Sequence, residues 1–290
     1  ICHHIAIACG APGGWYYRIP VSAGTATLAI LCVFVAVNQA FFMSLFFYVA
    51  AVFTPASCDK KGTAVFLKDR LKRLGIPLLV YFFLLNPSVA YLANRFEGET
   101  QRSFLGFMID NPIDYWGTGP LWFVLALLVF TLCYVCARSL ASENLIPQTL
   151  RRMPGNVLIL GFILVVGVLT FAVRLRFPAG WEVLGLQLGY FPLYISFFTF
   201  GILSCRYSWL SDLSARQANR WFCLALGLIV LMPLLLFLGG AGEPGVDHFM
   251  GGLSWQAYVY AAWEPFICIG ISMKLLVLFR NYLNKSNRLT

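Results

Sequence analysis

Long apolar runs separated by short polar stretches are the dominant pattern in this chain. A helix rises ~1.5 Å per residue, so about 20 apolar residues are needed to cross the ~30 Å hydrocarbon core of a bilayer. Seven runs approach or exceed this length, and an eighth, at the start of the chain, is partial. The partial run covers residues 1–10, and the full runs cover residues 25–53, 76–92, 121–137, 157–173, 185–205, 221–238 and 254–278.

The runs are apolar all round rather than alternating, which argues against a membrane β-barrel and favours helices. The sequence therefore predicts an all-α, polytopic transmembrane helix bundle with seven full spans and a partial first span. We expect residues 25–53 to be tilted or broken near Asn38 and Gln39, and Pro192 to kink the span 185–205. We also expect a single membrane-embedded domain over residues 1–290, partial at both ends, because the chain starts at Ile1 without a basic leader.

Composition supports a membrane protein over a soluble enzyme. Hydrophobic residues make up 60% of the 290 residues, and charged residues only 11%. A soluble domain carries about 25% charged residues, so this chain has too few charges to cover a soluble globule. The net charge of +9 is better explained by basic cytoplasmic loops than by nucleic acid, and we expect no nucleic-acid partner.

The basic residues fall unequally on the two sides of the predicted bundle. Because cytoplasmic loops carry the excess of lysine and arginine, the richer side is predicted to be cytoplasmic, and His4 is predicted to lie toward the outer face. The poorer side has five basic residues and the richer side has sixteen, which are Lys60, Lys61, Lys68, Arg70, Lys72, Arg73, Arg138, Arg151, Arg152, Arg206, Arg216, Arg220, Lys274, Arg280, Lys285 and Arg288.

Three ionisable residues, His3, His4 and Glu264, lie inside predicted spans. Such residues are costly in a bilayer and are commonly functional. An imidazole transfers protons near neutral pH. His4 is therefore a candidate base, and the alternative is an interfacial histidine that hydrogen-bonds a neighbouring helix. Glu264 is a candidate proton relay, a partner for His4 or a structural hydrogen-bonding group.

Two pairs of arginines and one tryptophan are further candidates. Arg70 and Arg73 are three residues apart, so on a helix they share a face that suits phosphate binding; the alternative is anchoring to anionic lipid. Arg174 and Arg176 end the fifth span and suit an anionic or hydroxylated substrate, with interfacial snorkelling as the alternative. Trp15 follows a glycine-rich turn and suits either sugar stacking or the interfacial aromatic belt.

These residues occur in an order that resembles a known family. The chain is similar to acyltransferase family 3, the integral-membrane O-acyltransferases that include bacterial O-antigen acetylases and glucan succinylation proteins. The likeness extends over essentially the whole chain. It rests on His4 with residues 5–7, on residues 10–17, 38–47, 66–77, 119–123 and 190–195, and on Trp263 with Glu264.

The resemblance implies a ten-helix membrane enzyme that moves an acyl group, often acetyl from acetyl-CoA, to a hydroxyl of an extracytoplasmic glycan or small molecule. The family's first-helix histidine matches His4, and an arginine is expected before residue 1. Its cytoplasmic Arg-x-x-Arg motif matches Arg70 and Arg73. A Ser-Gly pair common after the second helix is replaced by Ala50-Ala51, and the family's last two helices are expected after residue 290.

We therefore expect an O-acyltransferase of a bacterial cytoplasmic (inner) membrane, embedded in the lipid bilayer. Its expected partners are acyl-CoA, with acetyl-CoA favoured, and a glycan or other hydroxyl acceptor, without a metal. His4 is expected to act as general base or transient acyl carrier. The predicted site residues are His4 and Glu264 for catalysis, Arg70 and Arg73 for the CoA phosphates, and Arg174, Arg176 and Trp15 for the acceptor.

Two rival functions use the same features. A proton-coupled transporter or flippase would use Glu264 and His4 as a proton relay and would move its substrate without consuming acyl-CoA. A non-catalytic membrane sensor or scaffold would tolerate substitutions at both residues.

Overall fold

The computed structural model describes residues 1–16, 18–19, 24–110, 115–140, 148–240 and 246–283. The described residues contain helices and turns but no β-strand beyond one isolated bridge, which confirms the predicted all-α class. Seven of their helices are long and apolar enough to cross a membrane, in agreement with the seven predicted full spans. Tyr17, Lys285 and Arg288, named in the sequence analysis, lie outside the described residues.

The helices differ from the predicted spans mainly in where they begin and end. Short helical turns at Gly119–Leu121, Gln148–Arg151, Leu188–Tyr190 and Phe279–Leu283 adjoin them. The helices are α1 (Cys2–Ala8), α2 (Thr25–Val52), α3 (Thr54–Lys61), α4 (Thr63–Phe96), α5 (Phe104–Asp110), α6 (Trp122–Leu140), α7 (Asn156–Arg174), α8 (Phe191–Tyr207), α9 (Trp209–Asp212), α10 (Ala215–Leu238), α11 (Asp247–Met250) and α12 (Trp255–Leu278).

Helix α2 is not broken at its polar pair, so that part of the prediction is wrong. Asn38 donates from Nδ2 to the carbonyl of Phe34, 2.8 Å away on the preceding turn. Gln39 donates from Nε2 to the hydroxyl of Tyr194 at 3.0 Å. Both amides are thus satisfied without opening the backbone ladder, and the helix continues from Thr25 to Val52.

The predicted kink at Pro192 is also absent. The sixth span begins at Phe191 rather than at residue 185, so Pro192 lies in the first turn of α8. A proline there breaks no helical hydrogen bond, because the first-turn N–H groups have no partner inside the helix.

Helix α4 begins at residue 63, well before the predicted start at residue 76, and it includes the basic segment. Lysine and arginine are good helix formers, so their charge does not end a helix. Two wider π-helical turns interrupt α4, at Leu71–Gly75 and Tyr81–Leu85. Each precedes a proline by two residues, at Pro77 and Pro87. The wider turn accommodates the bond that each proline cannot make.

The chain folds into two compact units. Unit 1 comprises residues 1–31, 57–141 and 182–186, and unit 2 comprises residues 32–56, 142–181 and 187–290. Unit 1 contains α1, most of α3, α4, α5 and α6, whereas unit 2 contains α7 to α12 and most of α2. The single-domain expectation stays a prediction.

Close helix contacts in unit 2 depend on small residues. A Cβ added to Gly201 on α8 would lie 2.6 Å from the methyl group of Ala51 on α2, and Ala51 is fully buried. The Ala50-Ala51 pair therefore serves a tight helix contact. A Cβ at Gly167 on α7 would lie 3.0 Å from the Cα of Ala262 on α12. This second contact brings the chain near Glu264 close to α7.

Candidate functional site

His4 lies on α1 in unit 1, against an aromatic side chain from the loop that follows. The ring of Trp15 stacks on the imidazole with centroids 4.0 Å apart and an interplanar angle of 20°. His3 meets His4 edge-on at 5.3 Å. The loop turns back over α1 at Gly13, whose φ of 140° and contact with Ile7 leave no room for a Cβ. The structure therefore brings together two predicted site residues, His4 and Trp15.

Nδ1 of the His4 imidazole makes no structural hydrogen bond within the described residues. That atom is buried and has no hydrogen-bond partner among the described residues. Stacking on Trp15 holds the ring without occupying its nitrogens. No protein donor therefore occupies this nitrogen in the described residues, which leaves the imidazole available as a proton acceptor once the enclosed atom is reached.

A chain of hydrogen bonds fixes Tyr16, the residue after Trp15. Tyr16 donates to Oδ1 of Asn86 at 2.5 Å, and its oxygen lies 2.8 Å from that of Tyr81. Asn86 in turn donates from Nδ2 to the carbonyl of Tyr115 at 2.8 Å. Burial and the hydrogen bond with Tyr81 raise the pKa of Tyr16, so its hydroxyl stays protonated and able to donate.

The π-helical turn of α4 aligns the two residues that hold Tyr16. Tyr81 and Asn86 are five residues apart, which on a regular α-helix puts them on different faces. A π turn pairs residue i with residue i+5, and the turn at Tyr81–Leu85 therefore brings Tyr81 and Asn86 to one side. Sequence reasoning missed both residues. The available signal was a polar Asn86 inside an apolar run, directly before Pro87.

Gly119, at the entrance to α6, closes this network. Its φ is +43°, in the region that favours glycine. An added Cβ would collide with Tyr16, Asn86 and Tyr81. Within the segment 119–123 noted in the sequence, the glycine at its start thus allows the close approach to Tyr16, Tyr81 and Asn86.

Arg70 and Arg73 lie in the basic part of α4. Arg70 is partly buried, with its guanidinium 5.3 Å from the ring centre of Phe66, and Arg73 is exposed. Their charges lie close enough to repel each other. Arg70 is the last residue of a regular α-helical stretch, and Arg73 lies in the π-helical turn Leu71–Gly75. The prediction that residues three apart share a face assumed a regular α-helix throughout, and the π turn changes that spacing.

The neighbouring carboxylates are paired with other cations. Lys61 forms an ion pair with Asp69, and Arg138 on α6 forms one with Asp59 on α3. Among the described residues, neither Arg70 nor Arg73 has an ion-pair partner. Two adjacent positive charges therefore make no ion pair of their own among the described residues, and the nearby Asp69, which also attracts Arg73, is already paired with Lys61.

Arg174 and Glu264, both in unit 2, form a buried ion pair. Nη2 of Arg174 donates to both carboxylate oxygens of Glu264, at 2.7 and 3.0 Å. Each side chain is 1% exposed. Arg174 also donates from Nε to the carbonyl of Gly189 at 3.2 Å. The burial of Arg174 leaves no place for interfacial snorkelling, and Glu264 is paired with this arginine.

Aromatic rings enclose this pair. The guanidinium of Arg174 lies 4.8 Å from the ring centre of Tyr190 and 5.2 Å from that of Tyr260. Tyr260 also donates a hydrogen bond to Glu264. Nη1 of Arg174 is buried and has no hydrogen-bond partner among the described residues. The cluster is neutral overall and sealed, with one unused donor.

Arg176 does not join Arg174 in this cluster. It is exposed and lies 5.4 Å from the ring centres of both Phe177 and Trp181. Elsewhere in unit 2, a cavity of about 260 Å³ is lined mainly by apolar side chains such as Phe162, Phe197 and Met273. None of the predicted site residues lines it.

The long apolar helices define an integral, multi-pass membrane protein. A family model described as "Acyltransferase domain" matches residues 1–289. The chain therefore belongs to acyltransferase family 3, a family of membrane O-acyltransferases. No curated protein and no solved structure matches the chain.

Proposed function

We propose that this acyltransferase takes its acyl group from acyl-CoA, with acetyl-CoA as the favoured donor. The acceptor is a hydroxyl of an extracytoplasmic glycan or small molecule, and the membrane is the bacterial cytoplasmic membrane. The observation that carries the donor assignment is the pair Arg70 and Arg73, two adjacent guanidiniums that make no ion pair among the described residues, while the nearby Asp59 and Asp69 are paired with Arg138 and Lys61.

Two adjacent guanidiniums suit the phosphates of CoA. Like charges held close together repel, so a ligand that carries several negative charges relieves this repulsion. Guanidinium groups bind phosphate through paired, charge-assisted hydrogen bonds. The basic end of α4 is predicted to face the cytoplasm, where acyl-CoA is found.

His4 supplies the base in this proposal. Its neutral imidazole accepts the proton of the acceptor hydroxyl as the hydroxyl oxygen attacks the thioester carbonyl. A carbon–oxygen bond forms, the carbon–sulfur bond breaks, and the proton passes from His4 to the departing CoA thiolate. In the alternative order, His4 first takes the acyl group and then passes it to the hydroxyl.

The remaining predicted site residues have supporting roles in the proposal. Trp15 is 38% exposed and stacks on His4, so an acceptor sugar that packs on its ring would lie near the base. Arg176, exposed beside Trp181, offers a second acceptor contact. Glu264 acts through Arg174: their sealed ion pair holds α7 and α12 in place, and the unused Nη1 donor of Arg174 is available to a neighbouring protein group. None of these roles requires a metal.

The test is release of free CoA from labelled acetyl-CoA in inverted membrane vesicles, with and without envelope glycan. Arg70→Ala and Arg73→Ala are each expected to raise KM for acetyl-CoA about tenfold to a hundredfold, as expected for lost hydrogen bonds to a charged group. Lys72→Ala removes the same charge from the same segment and is the matched control. If no acyl-CoA is consumed with any acceptor, the hypothesis that acyl-CoA is the donor is rejected, and proton-coupled transport is favoured.

A further inference from the structure

A hydrogen-bonded network of α4 and the loop after α1 surrounds the residue next to Trp15. The Tyr16 hydroxyl donates its one proton to Asn86, so Tyr81 must be the donor in its bond with Tyr16. Asn86 in turn donates to the Tyr115 carbonyl, which makes the three bonds one directed chain. Tyr16 is 65 residues from Tyr81 and 70 residues from Asn86 in the sequence, so the chain joins two distant segments. Buried polar chains of this kind fix one arrangement when every member is satisfied.

The loop that carries Trp15 is attached to α1 and to itself in addition to the Tyr16 network. Residues 10–14 contain Gly10, Gly13 and Gly14, and glycine leaves the backbone many conformations. Arg18 donates to the Gly13 carbonyl of the same loop, and the Ile19 N–H donates to the Ala8 carbonyl on α1. Among the described residues of this loop, Tyr16 is the one whose side chain hydrogen-bonds to α4. Because Trp15 is its direct neighbour, fixing Tyr16 also fixes the ring that stacks on His4.

The supporting backbone is itself uncommon. π-helical turns are rare and occur frequently at functional sites. The turn Tyr81–Leu85 aligns Tyr81 with Asn86, and Gly119 adopts a positive φ where a side chain would displace all three polar groups. The π turn and the positive φ of Gly119 are thus two unusual backbone features that both lie at the Tyr16 hydroxyl.

We propose that Tyr16, Tyr81 and Asn86 are positioning residues for the acyl-transfer reaction. They hold Trp15 against His4, so that the imidazole is presented in one orientation. The role of the network in turnover rests on the proposed function of His4. The geometric part, that Tyr16 sets the Trp15–His4 stack, stands independently of it.

The experiment compares substitutions that remove one hydroxyl each from the complete protein. Tyr16→Phe removes both bonds of the central hydroxyl and is expected to lower kcat about tenfold, whereas Tyr81→Phe removes one terminal bond and is expected to lower it about threefold. KM for acetyl-CoA is expected to stay unchanged in both. Tyr91→Phe is the matched control, because Tyr91 lies on the same helix and donates to the Arg102 carbonyl, away from the network.

A spectroscopic readout separates positioning from stability and from the identity of the base. Fluorine-labelled tryptophan reports the Trp15 ring, with its resonance assigned by Trp15→Phe. Its shift is expected to titrate with His4, to stop titrating in His4→Ala, and to titrate less in Tyr16→Phe than in Tyr91→Phe. An unchanged titration in Tyr16→Phe, or a kcat equal to that of Tyr91→Phe, would overturn the proposal. Full turnover in His4→Ala would instead reject His4 as the general base. The fluorine titration would still test whether Tyr16 sets the Trp15–His4 stack.

Discussion

Unit 1 and unit 2 each place polar side chains inside apolar surroundings, but they use them differently. In unit 2, Arg174 and Glu264 are sealed, pair with each other and are surrounded by tyrosine rings. In unit 1, His4 has no ion-pair partner among the described residues, and the Trp15 ring that stacks on it is 38% exposed. A sealed ion pair mainly holds its surroundings in place, whereas a partly exposed imidazole suits the role of base proposed for His4.

The same contrast applies to the arginines. Arg174 has a carboxylate, a carbonyl and two aromatic rings around it. Among the described residues, Arg70 and Arg73 make no ion pair, because Asp69 on the same helix and Asp59 on α3 are paired with Lys61 and Arg138. Residue type and position alone therefore do not distinguish the buried, paired Arg174 from the arginines proposed to bind CoA. The two differ in whether the protein itself supplies a paired carboxylate.

The largest effect that follows from this comparison concerns the buried pair. Glu264→Ala leaves the Arg174 guanidinium buried without its counter-charge and is expected to cost about 3–5 kcal/mol of stability. The measurement is the unfolding free energy of the purified protein in micelles. Arg176→Ala, two residues from the pair and exposed, is the control and is expected to cost less than about 0.5 kcal/mol.

A double substitution shows whether charge imbalance causes this loss. Replacing both members, Arg174→Met with Glu264→Leu, is expected to give a protein more stable than either single variant, because no unpaired charge remains. Additive losses in the double variant would mean that the pair does not act as a unit, and the contrast between the units would lose its basis.

A smaller effect is expected at the network of unit 1. Gly119→Ala introduces a side chain at a positive φ and into the Tyr16–Asn86 contact, which is expected to cost about 1–3 kcal/mol and to lower turnover. Gly98→Ala is the control, because Gly98 has a φ of 79° but open space around its Cα. Backbone strain alone costs about 1 kcal/mol there. Equal turnover in both variants would show that the network does not influence the site.

The helices were largely predictable because lipid leaves the backbone few alternatives. A chain in a bilayer must satisfy its N–H and C=O groups internally, so a long apolar run indicates a helix whatever its neighbours are. The errors came from local signals. Asn38 and Gln39 look like a break but bond to Phe34 and Tyr194, and the basic residues before residue 76 continue a helix instead of forming a loop.

Individual candidate residues could be picked from the sequence, but their arrangement could not, and their roles stay predictions. His4 and Glu264 stood out because ionisable residues are expensive inside a membrane, whereas Arg174 stood out as a charge at the end of a span. The pairing of Arg174 with Glu264 joins positions 90 residues apart, and no periodic pattern encodes such a contact. Tyr81 and Asn86 were missed because their alignment depends on a π turn, which the regular α-helical spacing does not anticipate.

The most direct test of the central claim is the rate of CoA release per folded molecule in wild type, His4→Ala and His3→Ala. Loss of a general base lowers turnover on the order of 10²- to 10⁴-fold, and this is expected for His4→Ala at unchanged unfolding free energy. His3→Ala, one residue away on another side of α1, is expected to keep most of the activity. A His4→Ala protein that transfers acyl groups within about threefold of wild type would contradict the account.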